Sequence, residues 1–255
     1  MPALKQIEYI ERFHLLFLAR LGQKLDKRFY ALKGGCNLRF FFKSIRYSED
    51  MDLDVQTIPV GELRGRVAGI LKSASFLQAL AVHGMNIEHV TEAKQTETTQ
   101  RWKFGLLTTV LAIPVPTKIE FSRRRRFNDA VLENVDPLLV RSLGLPPILA
   151  CHYPATVAWR QKIQALATRS ATQARDVFDL DLLLSSGAII PANETASLPT
   201  DLLQEAEQRC LAMRFGDFKS QVLSYLAPDH HAAYDDPKVW DHMVLRVTEA
   251  LRGQR

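Results

Sequence analysis

The segment Asp50-Met51-Asp52-Leu53-Asp54-Val55 constrains the fold of this chain more than any other stretch. Successive side chains of a β-strand point to opposite faces, so the three carboxylates would share one face and the three apolar side chains the other. The apolar face needs a core, whereas stacked carboxylates repel one another. A divalent cation between two of them removes that repulsion, and Mg²⁺ prefers such oxygen ligands together with substrate phosphates. The segment therefore predicts a core strand that serves metal-dependent phosphate chemistry.

A glycine pair, Gly34-Gly35, precedes this strand, with fourteen residues between Gly35 and Asp50. A predicted strand at residues 29–32 leads into the pair, where the backbone can bend sharply and approach a ligand without a Cβ. Residues 36–43 are predicted to form a short helix whose N-terminal amides would face a phosphate. A glycine pair alone is more often a plain tight turn, but its coupling to the aspartate strand favours phosphate contact.

Composition narrows the class of protein. Lysine and arginine outnumber the acids 33 to 28, a net charge of +5 that only hints at an anionic partner. The three cysteines are scattered without a CxxC spacing, which argues against a disulfide framework or a zinc site. We find no secretory signal, and the longest apolar stretch, residues 104–115, is too short to span a bilayer. We therefore expect a cytoplasmic protein.

Periodicity indicates a change of architecture along the chain. Apolar residues recur every three or four positions over residues 7–25, predicting an amphipathic helix. A second helix is predicted at 61–80, and strands at 86–90, 100–112 and 118–122. From residue 155 onward the pattern is helical, with predicted helices at 155–167, 175–184, 201–213, 218–226 and 237–251. We expect an α+β fold, with a small mixed sheet flanked by helices in residues 1–145 and a mainly helical domain in residues 146–255.

Four motifs in order resemble the AbiEii/AbiGii-type nucleotidyltransferase toxins of bacterial type IV toxin–antitoxin systems. They are "LKGGCNLRF", "RYSEDMDLD", "KIEFSRR" and "WRQKIQAL" with "RDVFDLDLL", and they cover about residues 32–184. This family lies within the DNA polymerase β-like nucleotidyltransferase superfamily, whose signature is a glycine pair, a helix and an Asp-x-Asp strand. The resemblance implies that residues 1–145 are a nucleotidyltransferase core and that the helical domain completes the active site. Residues 186–255 carry no motif of this kind.

The resemblance implies roles for the residues of the core. Asp50 and Asp52 would hold the metal, and Gly34 and Gly35 would contact the nucleotide. Asp54 is less constrained and could simply reach solvent at the strand end.

Ser48 and Glu120 each allow two interpretations. Ser48 either contacts a phosphate oxygen, as the matching serine does in this family, or caps the entry to the strand. Glu120 lies on a predicted strand where the superfamily places a third carboxylate, which would hold metal or deprotonate the acceptor hydroxyl. The alternative is an exposed glutamate paired with Lys118.

Lys162, Asp176 and Asp179 belong to the motifs of the helical domain. A lysine on an amphipathic helix is usually solvated, but the resemblance implies that Lys162 pairs with the triphosphate of the nucleotide. Asp176 and Asp179 would share a helix face, one turn apart. The resemblance implies an active-site role for Asp176 and a more structural one for Asp179. The alternative is that both acids favour the helix dipole or pair with neighbouring arginines.

A run of four arginines directly follows the strand of Glu120. A solvated loop is one interpretation of such a run. Its closeness to a candidate catalytic carboxylate favours contact with RNA phosphates instead. The run comprises Arg123, Arg124, Arg125 and Arg126.

The function implied is that of a Mg²⁺-dependent (or Mn²⁺-dependent) nucleotidyltransferase that uses an NTP and releases pyrophosphate. The resemblance implies a toxin of a toxin–antitoxin or phage-defence pair, with a cognate antitoxin as partner and tRNA 3′ ends as the best-supported acceptor. Two alternatives stay open: a small-molecule nucleotidyltransferase of the aminoglycoside-modifying kind, and a non-catalytic nucleotide- or RNA-binding module. The first would need an acidic pocket, and the intact Asp50-x-Asp52 pair argues against the second.

Overall fold

The computed structural model describes residues 2–123, 129–186 and 198–253, with side chains from residue 6 onward. The chain divides into two compact units. The first comprises the residues up to Tyr153 except for 44–46, and the second comprises Ser44–Arg46 together with the residues from Pro154 onward.

The first unit is built on a seven-stranded mixed sheet with the strand order β3-β4-β5-β2-β1-β7-β6. The pairs β2–β5 and β1–β7 are parallel and the other pairs are antiparallel. This confirms the predicted α+β class with a small mixed sheet. The elements are α1 (Pro2–Lys24), β1 (Tyr30–Lys33), α2 (Gly34–Phe41), β2 (Asp50–Val55), α3 (Val60–Leu71), α4 (Ala74–Val82), β3 (Met85–Gln95), β4 (Thr99–Thr108), β5 (Val115–Arg123), β6 (Val131–Asn134), α5 (Pro137–Ser142) and β7 (Leu149–His152).

The core of the first unit lies between one face of the sheet and the helices α1, α3 and α4. Met51, Leu53 and Val55 of β2 are fully buried in this core. Phe13 and Phe17 from α1 belong to the same cluster, as the helical periodicity of residues 7–25 predicts. Because this face of β2 is anchored in the core, its alternate side chains must occupy the opposite face of the sheet.

The second unit is helical, as predicted. Phe218 and Trp240 stack in its core with ring centroids 4.9 Å apart, and Trp159 is fully buried. Its helices are α6 (Ala155–Thr168), α7 (Ala174–Ser185), α8 (Thr200–Ala212), α9 (Phe215–Gln221), α10 (Pro228–Tyr234) and α11 (Pro237–Arg252).

The structure differs from the sequence-based elements in three places. The helix predicted at 61–80 is two helices, because the Ser73 side chain accepts a hydrogen bond from the Phe76 amide and so caps a new helix. The elements β6, α5, β7 and α10 were not predicted; each is four to seven residues long, too short for a clear period. The expected domain boundary at residue 145 lies before β7, which pairs with β1 and therefore belongs to the first unit.

Candidate active site

Three candidate carboxylates lie on one face of two neighbouring strands. Asp50 and Asp52 alternate with buried apolar residues along β2, and Asp52 is paired in register with Glu120 of the parallel strand β5. Side chains of directly paired residues project from the same face of a sheet. The expected grouping of Asp50, Asp52 and Glu120 on one face is therefore what the register produces.

Two of these carboxylates already have a cationic partner from a neighbouring strand. Lys118 Nζ lies 2.9 Å from Asp50 Oδ2, and Arg101 Nε lies 2.5 Å from Glu120 Oε2. Within the described residues, Asp52 has no ion-pair partner of this kind. The alternative interpretation of Glu120 was an exposed glutamate paired with Lys118. Lys118 pairs instead with Asp50, the residue directly opposite it on β2.

The electrostatics of Asp52 suit a site that awaits a cation. Burial raises the pKa of Asp52 above its ordinary value, and the nearby carboxylates of Asp50 and Glu120 act in the same direction. Lys33 and Lys118 oppose this shift without cancelling it. The charged form of Asp52 is thus disfavoured by the protein itself, and a bound divalent cation would relieve that cost.

The turn before α2 brings backbone close to Asp52. Gly34 has a φ of +68°, and a Cβ at this position would lie 3.3 Å from Asp52 Oδ2. An L-residue other than glycine is strained in this conformation. The N-terminus of α2 has no side-chain hydrogen-bond cap, so its first amides are left for other acceptors. Gly34 therefore supplies the sharp bend predicted for the glycine pair, and it brings the backbone close to Asp52.

The donor set fits Mg²⁺ held partly by substrate. All candidate ligands are carboxylate oxygens, the type that Mg²⁺ prefers, and Asp50 is near enough to Asp52 to raise its pKa. Over the described part of the chain, no three histidine, cysteine or acidic side chains converge into a protein-only metal site. Mg²⁺ usually takes one or two protein carboxylates plus phosphates and water, so two aspartates beside a phosphate turn match its requirements.

Asp54 does not reach solvent, contrary to that expectation. Its side chain is almost completely buried, accepts a hydrogen bond from the Tyr153 hydroxyl at 2.8 Å and pairs with Lys33 Nζ at 2.6 Å. Buried charges are retained when they are paired and hydrogen-bonded in this way. The third aspartate of the strand is therefore structural, and it holds Lys33 beside Asp52.

A buried polar network, which sequence reasoning missed, lies beside the start of β2. His14 Nε2 lies 2.9 Å from the Thr117 hydroxyl, which itself donates to the Glu49 carbonyl at 2.6 Å. Cys36 Sγ lies 3.5 Å from His14 Nδ1. Complete burial lowers the pKa of His14 to about 3, so the ring is neutral. Because Thr117 donates to Glu49, His14 Nε2 carries the proton that Thr117 accepts.

Ser48 joins the same part of the molecule. Its hydroxyl donates to the Asp50 carbonyl at 2.9 Å, and Cys36 Sγ lies 3.2 Å from that carbonyl. Burial raises the pKa of the Cys36 thiol well above its ordinary value, so it is not a thiolate nucleophile. In this structure the Ser48 hydroxyl therefore bonds the strand entry, one of the two roles foreseen for it.

The helical unit has its own buried charged cluster. Lys162 Nζ lies 3.0 Å from Asp176 Oδ1 and 2.5 Å from Asp179 Oδ2, and both aspartates are completely buried. Lys162 is itself buried rather than solvated. Arg169 Nε lies 2.9 Å from Asp176 Oδ2, but the two atoms are not aligned as a hydrogen bond, so this contact is an ion pair only.

Arg46 also belongs to this cluster, although no sequence pattern selects it. Its guanidinium pairs with both oxygens of Asp179, with Nη2 3.0 Å from Oδ2, and the two residues are 133 positions apart. Burial alone would raise the pKa of Asp179, but Arg46 and Lys162 together outweigh it and hold that pKa below its ordinary value. Asp179 is thus ionised and paired within the helical unit, an arrangement that suits the more structural role expected for it.

Of the arginine run, only Arg123 lies within the described residues; Arg124, Arg125 and Arg126 lie outside them. The two terminal nitrogens of Arg123 donate to the Ile58 carbonyl and to the Gln100 side chain. These two donors are therefore already engaged within the first unit.

The comparisons with known proteins agree with this fold. The model of a family described as nucleotidyl transferase AbiEii toxin, type IV TA system, matches residues 16–249. JHP933 from Helicobacter pylori is 18% identical with a TM-score of 0.59, covering 98% of this chain and 94% of that one. MenT4, a nucleotidyltransferase toxin from Mycobacterium tuberculosis H37Rv, is 15% identical with a TM-score of 0.65, covering 100% of this chain and 95% of that one. At such identities these structures show a shared fold. No curated protein matches the sequence.

Proposed function

The chain belongs to the AbiEii family of nucleotidyl transferase toxins of type IV toxin–antitoxin systems, and we propose that it transfers nucleotides from an NTP to an RNA acceptor with the help of Mg²⁺. The acceptor that we propose is a tRNA 3′ end. The family implies an antitoxin partner. We further propose that the protein acts in the cytoplasm; none of the helices in the described residues is long and apolar enough to cross a membrane.

One observation carries the proposal. Asp50 and Asp52 face the same side of β2, Asp52 is in register with Glu120, and Gly34 approaches Asp52 from the start of α2, directly after β1. Carboxylates on one side and a phosphate turn on the other can position a triphosphate for in-line attack.

Each residue then has a task in the proposed reaction. Asp50 and Asp52 would hold Mg²⁺, which would supply charge neutralisation at the triphosphate. Glu120 accepts the proton of the attacking hydroxyl, and the Gly34-Gly35 turn holds phosphate oxygens. Ser48 joins the turn in this task once its hydroxyl rotates away from the Asp50 carbonyl. Pyrophosphate leaves as the new phosphodiester forms.

The assignments in the helical unit rest on the family resemblance. The proposal gives Lys162 a contact with the triphosphate and Asp176 a place in the active site. Within the helical unit the structure shows the two residues paired with each other. The proposal also gives Arg124, Arg125 and Arg126, which lie outside the described residues, a contact with RNA.

The test is an incorporation assay with each of the four labelled NTPs, Mg²⁺ and total RNA. We expect one or more NTPs to label RNA, and Asp50→Asn to remove that labelling without unfolding the protein. Glu133→Gln, an exposed acid on β6, is the matched control and should retain activity. Labelling of a small cationic compound instead of RNA would support the small-molecule alternative.

A further inference from the structure

The sheet face that carries the carboxylates continues onto strands that the proposed chemistry does not use. In the row of Asp50, the strand register places Lys118 of β5, Lys103 of β4 and Thr91 of β3 side by side. Directly paired residues share a face, so Lys118 and Lys103 extend outward from Asp50 on its own side of the sheet.

The next row has the same character. Asp52 is paired with Glu120, Glu120 with Arg101 of β4, and Arg101 with Lys94 of β3 after a bulge in that strand. Neighbouring strands lie about 4.8 Å apart, so Lys94 is roughly 14 Å from Asp52 across three strands. Two adjacent rows therefore lead from carboxylates to cations in the same direction.

Two of these cations have no acidic partner. Lys118 and Arg101 are engaged by Asp50 and Glu120. Lys94 and Lys103 are exposed and form no ion pair in the part of the chain that the structure describes. Glu92, the acid nearest to them on β3, pairs instead with Arg64 of α3 at 2.6 Å. The cations are therefore available to an external anion.

Their position separates this anion from the triphosphate. The phosphate turn at Gly34 follows β1, on one side of β2, whereas Lys94 and Lys103 lie beyond β5 on the other side. A phosphate bound between Gly34 and Asp52 would lie on the β1 side of β2, away from these lysines. The second reactant, whose hydroxyl must reach the α-phosphate, would approach from their side.

We propose that the surface formed by Lys94 of β3 and Lys103 of β4 holds the backbone phosphates of the RNA strand whose end is the acceptor, while Arg101 and Lys118 beside it stay paired with Glu120 and Asp50. The surface of Lys94 and Lys103 is called the cationic face below. The inference rests on the proposed function and adds where the acceptor lies. Lysines and arginines at such a surface bind phosphates without regard to sequence and release counterions as they do so.

The test compares two double variants with the same loss of charge. Lys94→Gln with Lys103→Gln removes two cations from the cationic face. Lys24→Gln with Lys72→Gln removes two exposed cations, one from the end of α1 and one from the residue that follows α3, on the opposite side of the sheet. The measurement is fluorescence anisotropy of a labelled single-stranded oligoribonucleotide at several salt concentrations.

We expect the first double variant to reduce the slope of log K against log salt by about 1.4, or about 0.7 for each lost contact. At 0.1 M salt this is roughly a 25-fold loss of RNA affinity. The second double variant should keep the wild-type slope. Equal slopes for the two variants would overturn the proposal.

Binding of an NTP with Mn²⁺, measured in parallel, distinguishes a failure of the RNA surface from a failure of the proposed nucleotidyl transfer. Wild-type protein that binds NTP with Mn²⁺ but no RNA would refute the cationic face and leave nucleotidyl transfer to another acceptor. Wild-type protein that binds RNA with the expected slopes but no NTP would refute the proposed reaction and support the RNA surface.

Discussion

At the scale of single residues, three aspartates on one strand have different physical situations. Asp50 forms an ion pair with Lys118, and Asp54 is buried against Lys33 and Tyr153. Asp52 has a raised pKa and no ion pair in the described residues. The alternation along the strand predicted their common face. It could not predict which of them is paired, because the partners come from other strands.

Replacing aspartate with asparagine should therefore change the free energy of unfolding in opposite directions at Asp52 and Asp54. Asp52→Asn should raise the free energy of unfolding of the metal-free protein at pH 7, because it removes a carboxylate whose charge is disfavoured. Asp54→Asn should lower it by about 1–3 kcal/mol, because Lys33 loses its buried partner. Chemical denaturation of both variants measures this.

The gain from Asp52→Asn should depend on pH. A carboxyl with a raised pKa contributes stability that is present below its unfolded pKa, ordinarily 3.8, and is lost as pH rises through the folded pKa. The gain should therefore disappear below about pH 4. A stability loss from Asp52→Asn at pH 7 would contradict the assignment.

Gly34 offers a second prediction at this scale. Gly34→Ala should cost about 1–2 kcal/mol for its positive φ and should also weaken binding of NTP with metal, because the Cβ presses on Asp52. Gly144→Ala is the matched control: its φ is +67° and nothing lies within 4 Å of the added Cβ. Denaturation and nucleotide titration together separate strain from function. Equal loss of binding in both variants would argue against the close approach.

At the scale of elements, the long periodic segments were predictable and the short ones were not. The helix α1 and the strands β2 and β5 followed from their apolar spacing. The strand β7, only four residues long, is specified by its pairing with β1, which no local pattern reveals. The same limit hid Arg46 and His14, whose partners are more than a hundred residues away.

The charged cluster between α6 and α7 provides the prediction at this scale. Lys162→Met leaves Asp176 and Asp179 with one cation fewer in a buried site, which should cost about 3–5 kcal/mol of unfolding free energy. Lys219→Met breaks an exposed ion pair with Asp235 and an exposed cation–π contact with Phe215, and should cost about 1 kcal/mol. Urea denaturation compares the two. Similar small losses would mean that Lys162 is not essential to the stability of the cluster. Any change in NTP affinity of Lys162→Met could then be attributed to a lost contact with the nucleotide.

At the scale of the whole molecule, the central claim is that β2 and the Gly34 turn form a site for a divalent cation and a nucleotide together. The sequence predicted the family and its core, both of which the family match and the fold confirm. The acceptor depends on surfaces formed by pairing of distant strands, which a linear pattern does not display.

The most direct measurement is a Mn²⁺ titration followed by electron paramagnetic resonance, with and without an NTP. We expect wild-type protein to bind Mn²⁺ more tightly when NTP is present. Asp52→Asn should lose this binding, and Glu88→Gln, which changes an exposed acid on β3, should retain it. Equal Mn²⁺ binding by wild-type protein and Asp52→Asn would rule out a metal site at Asp52.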